Sequence, residues 1–179
     1  SWEVGGDYMH FFPNGSRWKT LFIINESENL SERSRYKVDG SLETRDLYLS
    51  NFENNKERIV RSSYIFDFSG SQSIEAGIER AQTILDTSLQ LGLLTGTEGG
   101  ERFGGLAPIT DSMGTVEEMR YEYFAIHNWS INSRMTLETT FLFEDSTISQ
   151  TGSKANSRDF NFFRPKFDYR FDITPSFQF

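Results

Sequence analysis

The C-terminal stretch of the chain alternates strictly between apolar and charged positions. Residues 160–179 read FNFFRPKFDYRFDITPSFQF. One parity carries Phe163, Pro165, Phe167, Tyr169 and Phe171, and the other carries Arg164, Lys166, Asp168, Arg170 and Asp172. Because successive side chains of a strand point to opposite faces, this pattern predicts a long β-strand with one aromatic face and one charged face.

The same period of two recurs along the chain. Tyr64, Phe66 and Phe68 share a parity, and so do Phe141 and Phe143. We therefore predict strands at about 1–12, 16–28, 45–68, 73–92, 116–130, 135–149 and 157–172, with an eighth begun at Ser176.

Segment 73–92 is ambiguous. Ile74, Ile78, Ala81 and Leu85 follow helical spacing, which would suit an amphipathic helix. Gly77, the β-branched threonines and an alternating set favour a strand, and we predict a strand.

The connections between the predicted strands are of two kinds. Compact turn signals lie near 13–16, 69–72, 131–134 and 173–176. Longer polar stretches lie near 29–44, 93–115 and 150–157. This order predicts an all-β fold: a segment of an antiparallel up-and-down transmembrane β-barrel with seven to eight strands, short periplasmic turns and long extracellular loops. We treat residues 1–179 as one partial barrel domain.

The composition is more typical of a wall that is one sheet thick than of a domain with a large hydrophobic core. Aromatic residues make up 15% of the chain, while the apolar fraction is 36%. The aromatics collect near the short turns, which favours a membrane-interface girdle over the alternative, a β-sandwich with aromatic ends.

Charge and cysteine content narrow the classes of partner. A net charge of −8 argues against a nucleic-acid partner. The absence of Cys excludes disulfides and thiolate metal sites within these residues.

Reactive chemistry is not indicated by any motif. His10 and His127 lie beside no nucleophile motif, so we expect no catalytic residues and no enzyme. The acidic residues in or near the Gly-rich stretch lack the spacing of a calcium loop, and we expect no metal and no cofactor. Within that stretch the most plausible substrate contacts are Arg102, Phe103 and Asp111.

The two parities give two predicted surfaces. The predicted lumen-facing residues are Glu138, Glu144, Arg164, Lys166, Asp168, Arg170 and Asp172. The predicted lipid-facing or girdle aromatics are Trp18, Tyr64, Phe66, Phe68, Trp129, Phe141, Phe143, Phe163, Phe167, Tyr169 and Phe171.

Two long segments carry a family resemblance. The run from YEYFAIHNWSINSRMTLETTFLFEDSTISQTG through RDFNFFRPKFDYRFDITPSFQF resembles the barrel region of TonB-dependent outer-membrane receptors, and EVGGDYMHFFPNGSRWKTLFIINE resembles an upstream hairpin. A KPR…D…TPSxQ type of segment is matched by Arg164, Pro165, Lys166, Asp168, Thr174, Pro175, Ser176 and Gln178.

The resemblance implies a role in high-affinity uptake of a scarce small molecule, such as a siderophore, cobalamin or glycan. It also implies the outer membrane of a Gram-negative bacterium as the location. The implied partners are outer-membrane lipid, a plug domain and further barrel strands of the same chain, and the TonB energy-coupling complex. No plug is recognisable in these residues, and the short stretch after the last turn indicates that the strand continues beyond Phe179.

Two other functions remain open from the sequence. One is a passive porin or small structural barrel of the outer membrane. The other is a soluble carbohydrate-binding β-sandwich.

Overall fold

The computed structural model describes residues 1–152, 155–174 and 177–178. It contains eight strands: β1 (Trp2–Phe11), β2 (Arg17–Asp39), β3 (Leu42–Ser69), β4 (Gln72–Glu98), β5 (Leu106–Asn132), β6 (Met135–Gly152), β7 (Asn156–Thr174) and β8 (Phe177–Gln178). Each strand pairs antiparallel with its neighbours in the chain, so their order in the sheet is β1 to β8. The predicted all-β, up-and-down, barrel-like fold is confirmed, and the segment 73–92 is a strand.

Helix is nearly absent from the described ranges. A 3₁₀ turn at Glu101–Phe103 is the helical element found there. Within those ranges, no helix has the length and apolarity needed to cross a membrane.

The strands are much longer than the alternation predicted. Residues 29–44 and 93–115, for which loops were predicted, are mostly strand, and the connections shrink to 40–41 and 99–105. The reason is that the two strands of a hairpin satisfy each other's backbone hydrogen bonds. Their side chains can then be polar on both faces, so the sequence of such a hairpin resembles that of a loop.

The predicted turn at 173–176 includes Pro175 and Ser176, and the predicted loop at 150–157 includes 153–154. These four residues lie outside the described ones.

Side chains set the shape of the first short turn. Asn14 Oδ1 accepts hydrogen bonds from the backbone N of Ser16 at 3.1 Å and from its Oγ at 2.6 Å. Gly15 has φ of +84°, a conformation that favours glycine. The sequence PNGS therefore stops β1 and reverses the chain within a few residues.

A second layer does not cover the sheet within the described residues. The buried hydrophobic side chains there are Ala81, Phe103, Leu106, Ala107 and Phe124. Large apolar side chains such as Phe167 (65% exposed) and Phe163 (62%) stand uncovered. The described strands form one sheet, so the arrangement is not the two-sheet packing of a β-sandwich.

The pairing register assigns every strand residue to one of two faces. Thr20 lies opposite Ser62, Ser62 opposite Ile78, and Ile78 opposite Tyr123, and the row continues to Phe143 and Phe163. Residues paired in this way point to the same side of the sheet. We call the side that bears this row the aromatic face and the opposite side the charged face.

One glycine lets an aromatic ring lie flat on the charged face. A Cβ on Gly77 would come 2.5 Å from Phe124 Cζ and 2.5 Å from the backbone oxygen of Ser62. Phe124 is only 7% exposed, and the guanidinium of Arg61 lies 4.1 Å from its ring centroid. Gly77 thus makes room for a ring that carries a cation on its outer side.

This packing predicts the effect of filling the space. Gly77→Ala should lower the free energy of unfolding by about 1–3 kcal/mol, because the ring and the neighbouring backbone must move apart. The measurement is a urea titration followed by tryptophan fluorescence. Gly70→Ala is the control, since a Cβ there meets nothing within 4 Å; equal stability of the two variants would contradict the packing.

Candidate functional site

The structure separates the two predicted sets of residues onto opposite faces. The charged face carries all seven residues predicted to line the lumen: Glu138, Glu144, Arg164, Lys166, Asp168, Arg170 and Asp172. The aromatic face carries the eleven predicted girdle or lipid-facing residues: Trp18, Tyr64, Phe66, Phe68, Trp129, Phe141, Phe143, Phe163, Phe167, Tyr169 and Phe171. The medium that each face contacts stays a prediction.

Three glutamates lie side by side on the charged face. Glu79 on β4 is paired with Glu122 on β5, which is paired with Glu144 on β6. Like charges directly opposite each other destabilise a sheet. The row must therefore be compensated by cations from neighbouring positions.

Three arginines supply that compensation. Arg61 lies 3.7 Å and Arg120 3.4 Å from the carboxylate of Glu79. Arg120 Nε also lies 3.2 Å from Glu122 Oε1, close enough for an ion pair although the N–H is not aligned for a hydrogen bond. Arg164 contacts Glu144 and lies 4.0 Å from Glu122. We call these six residues the Arg–Glu ladder: Arg61, Glu79, Arg120, Glu122, Glu144 and Arg164.

The carboxylates of the ladder are shielded from solvent more than its outermost arginine. Side-chain exposure is 15% for Glu79 and 12% for Glu144, against 58% for Arg164. Partly buried ion pairs are screened less by salt than exposed ones. The ladder therefore ties β3 through β7 together on the charged face.

Ring contacts run along the short-turn end of the aromatic face. Tyr8, His10 and Phe12 are in ring contact, and Phe12 continues the series to Tyr64. The series proceeds through Phe66, Phe68, His127 and Trp129. His127 also hydrogen-bonds to Gln72 at 3.0 Å. Both histidines thus belong to a continuous aromatic belt.

The apolar part of the aromatic face has a limit that slants from β2 to β4. The last apolar residues before polar ones are Ile24 on β2, Val60 on β3 and Ile78 on β4. Each lies two residues closer to the short turns than the one before, because Val60 pairs with Phe22 and Ile78 pairs with Ser62. On β6 and β7 the limit is Phe143 and Phe163, which lie in the same register row as Ile78.

The residues predicted to contact substrate form a cluster of their own at the far end of the sheet. Arg102 pairs with Asp111, and its guanidinium lies 5.1 Å from the centroid of the Phe103 ring. Phe103 is buried at 7% exposure and packs against Gly92, where a Cβ would come 2.5 Å from the Phe103 backbone oxygen. The structure thus brings the three residues together, and their contact with substrate stays a prediction.

The hairpin of β2 and β3 ends in a separate set of polar contacts. Asp46 occupies a bulge, where the register shifts between Arg35 and Tyr36. The guanidinium of Arg35 holds this carboxylate at 2.9–3.0 Å, and that hydrogen bonding lowers the pKa of Asp46 below its usual value near 3.8. Arg45 Nη1 donates to the carbonyl of Gly104 at 3.1 Å, so this hairpin is bonded to the connection at 99–105 between β4 and β5.

Acidic residues do not gather into a metal site within the described ranges. Asp86, one of the acidic residues near the Gly-rich stretch, accepts a hydrogen bond from Thr115 Oγ1 at 2.7 Å and pairs with Lys56 at 3.2 Å. The hydrogen bond from Thr115 lowers the pKa of Asp86. The carboxylate is therefore held as an anion by its own neighbours.

Sequence reasoning missed most of the Arg–Glu ladder. It identified Glu144 and Arg164, whereas Arg61, Glu79, Arg120 and Glu122 were not singled out. Their parity was readable, because each lies on the polar side of an alternating strand. The register that makes the glutamates neighbours depends on turn positions and could not be read from one strand alone.

The ladder predicts unequal effects for two glutamates of β4. Glu79→Gln should lower the free energy of unfolding by about 1–3 kcal/mol, because two arginines lose their shared carboxylate. Glu75→Gln on the same strand and face should change it by less than about 0.5 kcal/mol, since Glu75 has no ion pair among the described residues. Urea titrations of both variants test this, and similar losses would argue against the ladder.

The lowered pKa of Asp46 predicts a local dependence on pH. A carboxyl group whose pKa falls on folding adds stability above its unfolded pKa, and that stability is lost as pH falls through the folded pKa. Hydrogen-exchange protection at the β2–β3 hairpin end should therefore drop below pH 4, after correction for intrinsic exchange rates. Asp46→Asn should show the low protection already at neutral pH, whereas Asp39→Asn should behave like the parent; a pH-independent parent would contradict this.

Comparison with solved structures adds a structural likeness. No family model matches the chain, and neither does any curated protein. A solved structure titled "Crystal structure of ferric citrate transporter FecA in the unliganded form" matches 98% of this chain with a TM-score of 0.59 and 15% identity. The chain spans 25% of that protein's length. The likeness supports the barrel-like fold of the chain.

Proposed function

We propose that this chain forms part of the wall of a TonB-dependent outer-membrane receptor, which takes up a scarce small molecule at high affinity. The observation that carries the proposal is the pair of opposed faces, one aromatic and one charged, neither of which is covered by a second layer among the described residues. The resemblance in sequence and the likeness to a ferric citrate transporter support it further.

The aromatic face fits contact with lipid. Its apolar stretch covers nine residues on β3, Val60–Phe68, and eleven on β7, Phe163–Ile173. A strand crosses the hydrocarbon layer of a bilayer in about 9–11 residues. Large exposed apolar surfaces on a soluble protein would cause aggregation, and lipid removes that cost. The belt that includes Tyr64 and Trp129 suits the membrane interface on the short-turn side.

The strands continue far beyond that apolar stretch. β3 has 28 residues, and β4 and β5 have 27 each. The excess lies at the end opposite the short turns, where polar side chains occur on both faces. This arrangement fits hairpins that project from the cell surface, with the short turns in the periplasm.

The charged face fits the interior of a barrel. Its ladder leaves individual groups, among them Arg164 with 58% of its side chain exposed, accessible to a partner inside. By resemblance, that partner is a plug domain encoded in the same full-length protein, and the TonB complex supplies the energy. A passive porin is the alternative function, without plug or energy coupling. We propose no enzymatic activity, since both histidines sit in the aromatic belt away from the charged face.

Dependence of uptake on energy coupling tests the proposed function. Cells with and without the full-length gene, and with and without the TonB protein, are given labelled ferric siderophores, cobalamin or oligosaccharides. We expect one class of compound to enter at nanomolar concentrations only when both genes are present. Uptake that requires the gene but not TonB would support the porin and contradict the receptor.

A further inference from the structure

Two phenylalanines lie next to each other along β7 on the charged face. Phe160 and Phe162 on β7 share the parity of Arg164, so they lie on the charged face although nearly all other aromatic residues lie on the other one. Their rings are parallel within 10°, with centroids 6.1 Å apart. Phe162 is 48% exposed. Phe160 is half-buried. A pair of aromatic rings that is partly exposed next to other apolar side chains suits an apolar partner.

Beside this pair is a cleft of about 300 Å³. The pairing register places its lining on three adjacent strands, β5, β6 and β7. Val116, Ile148 and Phe160 form the apolar part of the lining. Gln150, Asn156 and Arg158 form the polar part.

The lining carries a cation without an acidic residue. Arg158 has no ion-pair partner among the described residues. Glu118 is the nearest acidic residue in the same register row, two strands away from Arg158, and its carboxylate accepts a hydrogen bond from Ser146 Oγ at 2.9 Å. Asp159 belongs to the aromatic face, where Thr147 donates to it at 2.8 Å. An anion in the cleft would therefore meet a guanidinium and two amides, with no opposing carboxylate in the lining.

The position of the cleft suits a ligand arriving from outside. Its residues on β7, 156–160, precede Phe163, which marks the upper limit of the apolar part of the aromatic face. The cleft thus lies beyond that limit, on the side away from the short turns. If the charged face lines the barrel interior, the cleft lies near the outer mouth.

We propose that this cleft is a binding subsite for an anionic ring compound, with an apolar ring face and a carboxylate or similar acidic group at its edge. The inference rests on the proposed function, whose transported substrate it narrows to this chemical class. The ring packs on Phe160, Val116 and Ile148, with Phe162 supporting Phe160 from the side. The acidic group accepts hydrogen bonds from Arg158, and Gln150 and Asn156 bind its remaining acceptor atoms.

Benzoate is a suitable probe, because it combines a flat ring with one carboxylate. Its binding to the full-length barrel in detergent micelles is measured by ligand-observed NMR, with protein-free micelles as the blank. Benzyl alcohol keeps the ring and lacks the charge, so it should bind at least about tenfold more weakly. Cyclohexanecarboxylate keeps the charge and lacks the flat ring, and its affinity should fall a few-fold.

Variants with matched controls locate the binding. Arg158→Gln should weaken benzoate binding by about tenfold or more, and Phe160→Leu by a few-fold. Arg33→Gln, an exposed arginine elsewhere on the charged face, and Phe163→Leu, on the aromatic face, should leave the affinity unchanged.

The proposal is overturned if benzoate shows no saturable binding above the micelle blank, or if Arg158→Gln and Arg33→Gln bind it equally. Circular dichroism and heat-modifiable migration on gels show whether each variant retains a folded barrel. Energy-coupled uptake is measured separately. A receptor that transports but does not bind benzoate at Arg158 would therefore refute the subsite and leave the proposed function standing.

Discussion

Backbone hydrogen bonding in a single sheet fixes every side chain on one of two faces, and among the described residues neither face is covered by a second layer. The consequence is that each face must be stable against whatever medium it meets. Near the short turns, the aromatic face exposes mainly large apolar side chains, which water solvates poorly. The charged face carries many charged side chains, which water solvates well. Stability then depends less on burying a hydrophobic core than on each face meeting a medium that suits its side chains.

On the charged face, residues on neighbouring strands compensate one another's charges. Glu79, Glu122 and Glu144 would repel one another, and the interleaved arginines turn that repulsion into a ladder across five strands. Beside the ladder, Phe124 fills the space that Gly77 leaves and carries Arg61 on its outer side. Arg61 therefore both packs on Phe124 and pairs with Glu79. A substitution at Gly77 should displace Phe124 and so also weaken the ion pair between Arg61 and Glu79.

Alternation predicted that the strands exist and which of their residues share a face, although it did not predict their full length. It worked because period 2 is a local property, visible in residues 163–172 without knowledge of any partner. It failed where the hairpins are polar on both faces, as at 29–44, since no local signal distinguishes such a strand from a loop. The Arg–Glu ladder and the apolar limit that runs from Ile24 to Phe163 depend on register between strands, so a single sequence could not reveal them. Phe160 and Phe162 were visible as exceptions to the alternation, but their cleft required three strands to be in place.

The central claim is that the aromatic face contacts lipid while the charged face contacts water. The described region contains no cysteine, so single cysteines can be introduced one at a time along β7 and spin-labelled in the full-length barrel in lipid bilayers. Electron paramagnetic resonance then measures the accessibility of each label to oxygen, which concentrates in lipid, and to a water-soluble nickel complex. From 163 to 172 the odd positions should favour oxygen and the even positions nickel, with a period of two. Equal accessibility at neighbouring positions, or the opposite phase, would contradict the account.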